Sequence, residues 1–286
     1  MGALLIAGCG YLGLHLARRW AERPGTIYGL KRSPEELPAG IEPIGHDLSL
    51  GPPTLPGDIE FAVFAAAPGG GGSDAYRSTY VDGLGHLLSA LEQAERPPRR
   101  VLFTGSTAVY AQTQGEWVDE RSEASGSGDP GRLLLEAEAR LAASPLETVA
   151  LRLGGLYGPG RTRLIETVLA GVELQPEPPR YTNRIHVEDA AGALAHLLDA
   201  DHVEPVYNVV DTAPAAEEEV LRWLARRLDA PTPRWIANAP APRRGNKRVD
   251  SARLRASGWR LEYPSFREGY EGMIQAMGGP FERRLS

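Results

Sequence analysis

The chain has 286 residues, of which 42% are hydrophobic and 24% are charged, so it carries enough apolar material for the buried core of a globular protein. Its 31 basic and 37 acidic side chains give a net charge of −6, which argues against sequence-independent binding to nucleic acid or to an anionic membrane. A single cysteine, Cys9, excludes an internal disulfide and a cysteine-based zinc site, and it favours a reducing, cytoplasmic setting.

Short apolar segments alternate with longer segments of helical period through the first half of the chain. In chain order we predict a strand at 3–7, a helix at 11–22, strands at 26–30, 41–45 and 60–66, a helix at 76–95, a strand at 100–104, a helix at 132–143 and a strand at 147–153. Such alternation is typical of an α/β fold with a doubly wound parallel sheet.

The alternation thins beyond Gly154. Here we expect a loop around the prolines at 176, 178 and 179, a helix at 187–199, a strand at 206–210, a helix at 217–228 and an irregular excursion at 231–250. No apolar run reaches the roughly 18 residues of a membrane span, and the N-terminal run stops at glycines. We therefore expect neither a membrane segment nor a targeting signal.

A glycine-rich segment, Gly8-Cys9-Gly10-Tyr11-Leu12-Gly13, follows the first predicted strand and opens the first predicted helix. In this context the glycines let backbone N–H groups approach a pyrophosphate at the helix N-terminus. The pattern predicts dinucleotide contacts from Gly8, Gly10, Tyr11, Leu12 and Gly13. The alternative interpretation is a tight turn between strand and helix that binds nothing.

The end of the second predicted strand indicates which dinucleotide is preferred. An acidic residue at this place binds the ribose 2′-hydroxyl of NAD, but this chain has Leu30-Lys31-Arg32. The cations Lys31 and Arg32 are suited to pair with a 2′-phosphate. The sequence therefore favours NADP over NAD, and a solvated basic turn remains the alternative.

Six further segments follow the predicted strands in a characteristic order: Asp47-Leu48, Ala65-Ala66-Ala67-Pro68, Gly105-Ser106-Thr107-Ala108-Val109-Tyr110, Tyr157-Gly158-Pro159-Gly160-Arg161, residues 183–189 and Tyr207-Asn208. With the glycine-rich segment, they resemble the extended short-chain dehydrogenases/reductases of the NAD-dependent epimerase/dehydratase family. The resemblance implies a Rossmann domain at 1–157 plus 184–211 and a smaller C-terminal substrate lobe at 158–183 plus 212–286. It also implies that Asp47 and Leu48 frame the adenine and that Ala65, Ala66 and Ala67 lie beneath the cofactor ribose.

The chain departs from this family at its catalytic Tyr-x-x-x-Lys pair. Counting back from the segment Leu135-Glu136-Ala137-Glu138, Pro130 falls at the tyrosine position and Leu134 at the lysine position. Proline has no acidic proton, and leucine cannot lower the pKa of a neighbouring phenol from its usual value of about 10. The resemblance is therefore to an atypical branch that lacks the usual acid/base machinery.

The remaining candidate site residues are implied by the resemblance. Ser106 stands at the family's catalytic Ser/Thr position, although a strand-end serine also commonly bonds backbone groups. Tyr110 is a candidate phenol, with packing as the alternative. Arg161, Arg243 and Arg244 are candidate contacts to an anionic substrate, with a solvated surface as the alternative. Neither a metal-binding motif nor an aromatic-basic pattern typical of nucleic-acid binding is evident.

Two functions remain open at this stage. One is an NADP-dependent oxidoreductase or sugar-nucleotide-modifying enzyme with a small-molecule substrate. The other is a catalytically silent NADP-binding sensor or partner-binding protein. The predicted helices at 76–95 and 132–143 are also where members of the family pair into dimers, so we expect a homodimer that covers their apolar faces.

Overall fold

A computed structural model describes residues 2–70, 72–126, 128–174, 179–235 and 245–278. The strands are β1 (Ala3–Ala7), β2 (Ile27–Lys31), β3 (Glu42–Gly45), β4 (Ile59–Phe64), β5 (Arg100–Ser106), β6 (Glu116–Val118), β7 (Thr148–Leu153), β8 (Gly155–Tyr157), β9 (Glu173–Leu174), β10 (Tyr181–Thr182), β11 (Arg184–His186), β12 (Val206–Val209), β13 (Ala215–Ala216), β14 (Arg234–Trp235) and β15 (Lys247–Val249). The α-helices are α1 (Tyr11–Trp20), α2 (Ser73–Tyr76), α3 (Leu84–Glu92), α4 (Gly128–Ala143), α5 (Arg163–Leu169), α6 (Val187–Asp199), α7 (Glu217–Arg227), α8 (Ala252–Ala256) and α9 (Phe266–Ala276).

Seven of these strands form one parallel sheet in the order β12-β7-β5-β4-β1-β2-β3. The chain winds outward in one direction from β1 through β2 and β3, and in the other through β4, β5, β7 and β12. Ligands of such sheets bind at the carboxyl ends of the strands, where the strand order reverses. The predicted α/β fold with a doubly wound parallel sheet is confirmed, and the reversal between β1 and β4 locates the crevice.

Helices cover both faces of the sheet, which explains why its central strands are apolar throughout. All five residues of β1 are buried. Leu4 and Ile6 pack in the core formed with α1 and α6, whereas Leu5 and Ala7 pack in the core formed with α3 and α4. A strand buried on both faces has no polar side to alternate with its apolar one. A third core joins α5, α7 and α9 beyond the sheet.

The structure differs from the predicted elements where pairing is distant in sequence. The segment predicted to be irregular at 231–250 contains β14 and β15, which pair with β9 and β6 respectively. These strands have only two or three residues, too few to show a period.

The helix predicted at 76–95 instead begins with α2 at Ser73, passes through a π-helical turn at Arg77–Gly83 and ends with α3 at Glu92.

The apolar stripe of α4 is covered within the chain itself. Leu133, Leu134, Ala137 and Leu141 are all buried, and the last three belong to the core shared with α3 and the sheet. The homodimer stays a prediction, but an uncovered stripe on α4 no longer supports it.

In the described part of the chain, no helix combines the length and the hydrophobicity needed to cross a membrane.

Candidate functional site

A cleft of about 910 Å³ opens along the carboxyl ends of β1, β2, β4 and β5. The structure brings most of the predicted site residues together on its walls: Gly8, Gly10, Tyr11, Leu12, Lys31, Arg32, Asp47, Leu48, Ala65, Ala66, Ala67, Ser106 and Arg161. Gly13 lies just behind the wall, where an added Cβ would come within 2.8 Å of Ile6 Cγ2. Arg243 and Arg244 lie outside the described residues.

The glycine-rich turn has the shape that a dinucleotide pyrophosphate requires. Gly8 adopts a φ of +86°, and a Cβ there would lie 2.2 Å from the backbone nitrogen of Ala66. A Cβ on Gly10 would meet only the carbonyl oxygen of Gly8, at 4.0 Å, so this side of the turn is open. Helix α1 starts next, with no side-chain cap and no acidic residue in its first turn. Its positive end is therefore available to an anion, and the site fits the cofactor.

Cations lie at the end of β2, as predicted. The ammonium of Lys31 is 3.6 Å from the carboxylate of Glu36, whose side chain is 82% exposed. Hydrogen bonds from the Ser49 hydroxyl and backbone N–H, with a smaller effect of the Arg32 charge, hold the pKa of Asp47 below its usual value. The carboxylate of Glu36 is solvated by water, and Asp47, which is partly buried, acts on Arg32 through its charge without an ion pair among the described residues. A phosphate can compete with such partners.

The opposite end of the cleft is lined by Phe64, Tyr80, Thr104, Gly105 and Ser106. The hydroxyl oxygen of Ser106 accepts a hydrogen bond from the backbone N–H of Ala108 at 3.2 Å. Its own proton remains available to donate to a ligand in the cleft. The sequence motifs point to Ser106 here but not to Tyr80, which lies in a π-helical segment that has no recognisable sequence pattern.

Helix α4 contributes no acid/base pair to this end. Pro130 lies in its first turn, and Leu134 is 1% exposed in the core beneath the helix. The side chains at the two positions of the Tyr-x-x-x-Lys pair therefore carry neither a phenol nor an ammonium group. Helix α4 cannot catalyse the family's usual proton transfer there.

Tyr110 lies in the core and does not line the cleft, in contrast to its candidacy as a catalytic phenol. Its hydroxyl donates to Asn208 Oδ1 at 2.9 Å and accepts from Arg152 Nη1 at 2.9 Å. Arg152 is in turn paired with Glu138 at 2.7 Å, and both side chains are at most 10% exposed. The hydroxyl is thus occupied by a buried structural network.

Arg161 lies beside the glycine-rich turn. Its guanidinium carbon is 4.4 Å from the centre of the Tyr11 ring, and Nη1 donates to the carbonyl of Leu156 at 3.1 Å. The Tyr11 hydroxyl donates to the carbonyl of Pro159 at 2.9 Å, which ties the same loop to α1. No ion pair within the described residues involves Arg161, so its charge is available to an anion in the cleft.

Comparison with known proteins places the chain in a family. The model of the NAD dependent epimerase/dehydratase family matches residues 4–210. The chain belongs to this family. The match covers every strand of the central sheet, and it confirms the resemblance seen in the sequence.

Three relatives illustrate the range of similarity. A solved structure from Methylobacillus flagellatus, assigned to the NAD-dependent epimerases/dehydratases, is 38% identical, with a TM-score of 0.80 over 97% of this chain and 99% of that one. The 3-diazoavenalumate denitrifying reductase of a Streptomyces species is 34% identical over 66% of this chain and 68% of its own length. Human epimerase family protein SDR39U1, solved with NADPH, shares the fold at 21% identity, with a TM-score of 0.79 over 96% of this chain and 99% of that one.

Proposed function

We propose that this chain is an NADP-dependent reductase that binds NADP(H) in the cleft and reduces a small carbonyl compound. The observation that carries the proposal is the pair Lys31 and Arg32 at the end of β2, in the same cleft as the glycine-rich turn. A 2′-phosphate is the part of NADP that would use these cations. The Streptomyces relative is named a reductase, which supports the reductive direction of the proposal. The human structure contains NADPH, which supports the cofactor.

Each residue has a defined task in this proposal. The N–H groups at the start of α1, together with Arg161, bind the pyrophosphate, and Lys31 and Arg32 bind the 2′-phosphate. Bound NADPH supplies a hydride to the substrate carbonyl. Ser106 donates its hydroxyl proton in a hydrogen bond that orients the carbonyl oxygen.

Reduction fits this site better than epimerisation. An epimerase that works through a keto intermediate must first oxidise an alcohol, which requires a base that removes the hydroxyl proton. Helix α4 supplies no such base, because Pro130 and Leu134 occupy the dyad positions. A serine hydroxyl is a poor base, so Ser106 cannot replace it. Reduction needs a proton donor instead, a less demanding role for neutral hydroxyl groups.

We also propose that the chain divides into two lobes and acts in the cytoplasm. The Rossmann domain would comprise 1–157 plus 184–211, supported by the place of β12 at the edge of the central sheet. Residues 158–183 plus 212–286 would form the substrate lobe, supported by the separate core of α5, α7 and α9. The lone buried cysteine, Cys9, agrees with a reducing cytoplasm.

Light scattering at micromolar concentration tests the homodimer, and a monomer would refute it.

Calorimetry and NADPH oxidation at 340 nm test the proposal. We expect NADPH to bind at least ten times more tightly than NADH, and to be oxidised by one member of a panel of aldehydes, ketones and nucleotide sugars. The variant Ser106→Ala should lower turnover at least tenfold and leave NADPH affinity nearly unchanged. Equal affinity for NADH would contradict the cofactor choice. NADPH binding without turnover on the whole panel would favour a silent sensor.

A further inference from the structure

The reduction needs a proton donor, and α4 does not carry one. A different phenol, that of Tyr80, lines the same end of the cleft as Ser106. We propose that Tyr80 is the proton donor of the reaction and takes the place of the phenol that α4 lacks. This inference rests on the proposed reductase function and adds a catalytic residue to it.

Aromatic contacts fix the position of Tyr80. Its ring meets the ring of Phe103 edge-on at a centroid distance of 6.0 Å, and that of Tyr76 at 5.5 Å. Phe103 lies on β5, three residues before Ser106. In a doubly wound sheet the dinucleotide lies across the point where the strand order reverses. With the 2′-phosphate site on β2, the nicotinamide half falls on the side of β4 and β5, where Tyr80 lies.

The local backbone is unusual at this position. Tyr80 belongs to the π-helical turn Arg77–Gly83 between α2 and α3. Such turns are rare and occur frequently at functional sites, because the wider turn re-aims its side chains. A two-pronged contact from Arg77 to Glu136, at 2.9 and 3.0 Å, ties this turn to α4. The phenol therefore comes from the element packed directly against the helix that has lost the usual pair.

Other tyrosines near the site are unsuited to this role. Tyr110 is fully buried with its hydroxyl engaged, and Tyr157 is 4% exposed. Tyr11 does line the cleft, but beside the glycine-rich turn, and its hydroxyl donates to the carbonyl of Pro159. Among the described tyrosines, Tyr80 is the one that lines the cleft at the end where Ser106 lies.

The proton and electron balance of the step is complete. Tyr80 donates its phenolic proton to the carbonyl oxygen while a hydride from NADPH forms the new C–H bond. The carbonyl π bond becomes the electron pair that takes the proton, so the substrate is reduced to an alcohol and the nicotinamide is oxidised. Water entering the open cleft returns a proton to the phenolate left on Tyr80.

The environment of Tyr80 keeps its phenol protonated. Burial, with a further effect of Tyr76, raises the pKa of Tyr80 to about 12. A phenol of this acidity still gives its proton to an alkoxide, because the pKa of an alcohol is close to that of water, about 16. At neutral pH this phenol is therefore protonated, as a proton donor must be.

A phenolate titration tests the placement of Tyr80 without any substrate. The nicotinamide ring of NADP⁺ carries a positive charge and that of NADPH does not, so NADP⁺ should lower the ionisation midpoint of Tyr80 by about one to three pH units. We would follow phenolate absorbance near 295 nm in wild type, Tyr80→Phe and the matched control Tyr76→Phe, with saturating NADP⁺ or NADPH. The NADP⁺ shift should occur in wild type and in Tyr76→Phe, and vanish in Tyr80→Phe. A shift that survives in Tyr80→Phe, or no shift in wild type with NADP⁺ bound, would overturn the inference.

Turnover with NADPH and 4-nitrobenzaldehyde, or any better substrate from the panel, gives the second readout. Tyr80→Phe should lower kcat at least 100-fold, with NADPH affinity unchanged within twofold and Tyr76→Phe close to wild type. Full activity of Tyr80→Phe would refute the role of Tyr80 and leave the reductase intact. Failure of the wild type to bind either NADP⁺ or NADPH in calorimetry would instead refute the proposed function itself.

Discussion

The charge at the end of β2 makes a quantitative prediction about cofactor choice. Removing both cations in Lys31→Ala/Arg32→Ala should weaken NADPH binding and leave NADH binding nearly unchanged. A hydrogen bond to a charged group contributes about 1.5–3 kcal/mol. Lys31 must give up Glu36, but that carboxylate is 82% exposed and 3.6 Å away, so the loss costs at most about 1 kcal/mol. Lys31 is only half-buried and Arg32 is exposed, so water weakens both contacts below that range. We therefore expect the two cations together to contribute about 1.4–2.8 kcal/mol, or ten- to a hundredfold in affinity.

Calorimetry with NADPH and NADH measures this difference, and a change in salt checks its origin. Because the contacts are half-exposed, the preference for NADPH should shrink as the salt concentration rises. Glu36→Gln is the matched control, for which we expect the opposite change in affinity. It removes a negative charge and the carboxylate partner of Lys31, so the affinity for NADPH should rise a few-fold. Equal loss of NADH and NADPH in the double variant, or no loss of either, would refute the reasoning.

Three further predictions concern other charged groups. Arg161→Ala should weaken the binding of NADPH and of ADP-ribose about tenfold in calorimetry, because both contain a pyrophosphate. The binding of adenosine 2′-monophosphate, which has none, should not change. Equal weakening of all three ligands would contradict this. Glu138→Gln should lower the free energy of urea unfolding by about 3–5 kcal/mol, since it leaves the buried Arg152 guanidinium without its carboxylate; a change below 1 kcal/mol would count against it. Burial raises the pKa of Asp211 to about 7, so its carboxyl stabilises the fold below about pH 4 and loses this effect as the pH rises through 7; Asp211→Asn should therefore gain thermal stability over wild type at pH 8 but not at pH 4.

Much of the fold and of the cofactor site follows from local sequence signals. Central strands such as β1 are buried on both faces and therefore appear as continuous apolar runs. The glycine-rich turn is also a local signal, because Gly8 needs a positive φ directly after β1. Lys31 and Arg32 could be placed because a strand end fixes where its next residues lie.

The remainder depends on contacts between distant parts of the chain. Tyr110 follows Ser106 closely in sequence, yet partners from β7 and β12 hold its hydroxyl in the core. Tyr80 lines the cleft from the π-helical segment Arg77–Gly83, whose turns are about one residue wider than those of an α-helix. Amphipathic periodicity does not reveal this difference. Strand β15 exists because β6 lies beside it, more than 120 residues earlier in the chain.

Transfer of deuterium from NADPH to a product tests the central claim most directly. The protein would be incubated with NADPH deuterated at C4 of the nicotinamide and with the carbonyl panel, and the products analysed by mass spectrometry. We predict one alcohol product that carries a single deuterium on the former carbonyl carbon, formed far more slowly by Tyr80→Phe. Tight NADPH binding with no deuterium in any product would contradict a reductase and leave the chain a cofactor-binding protein without hydride chemistry.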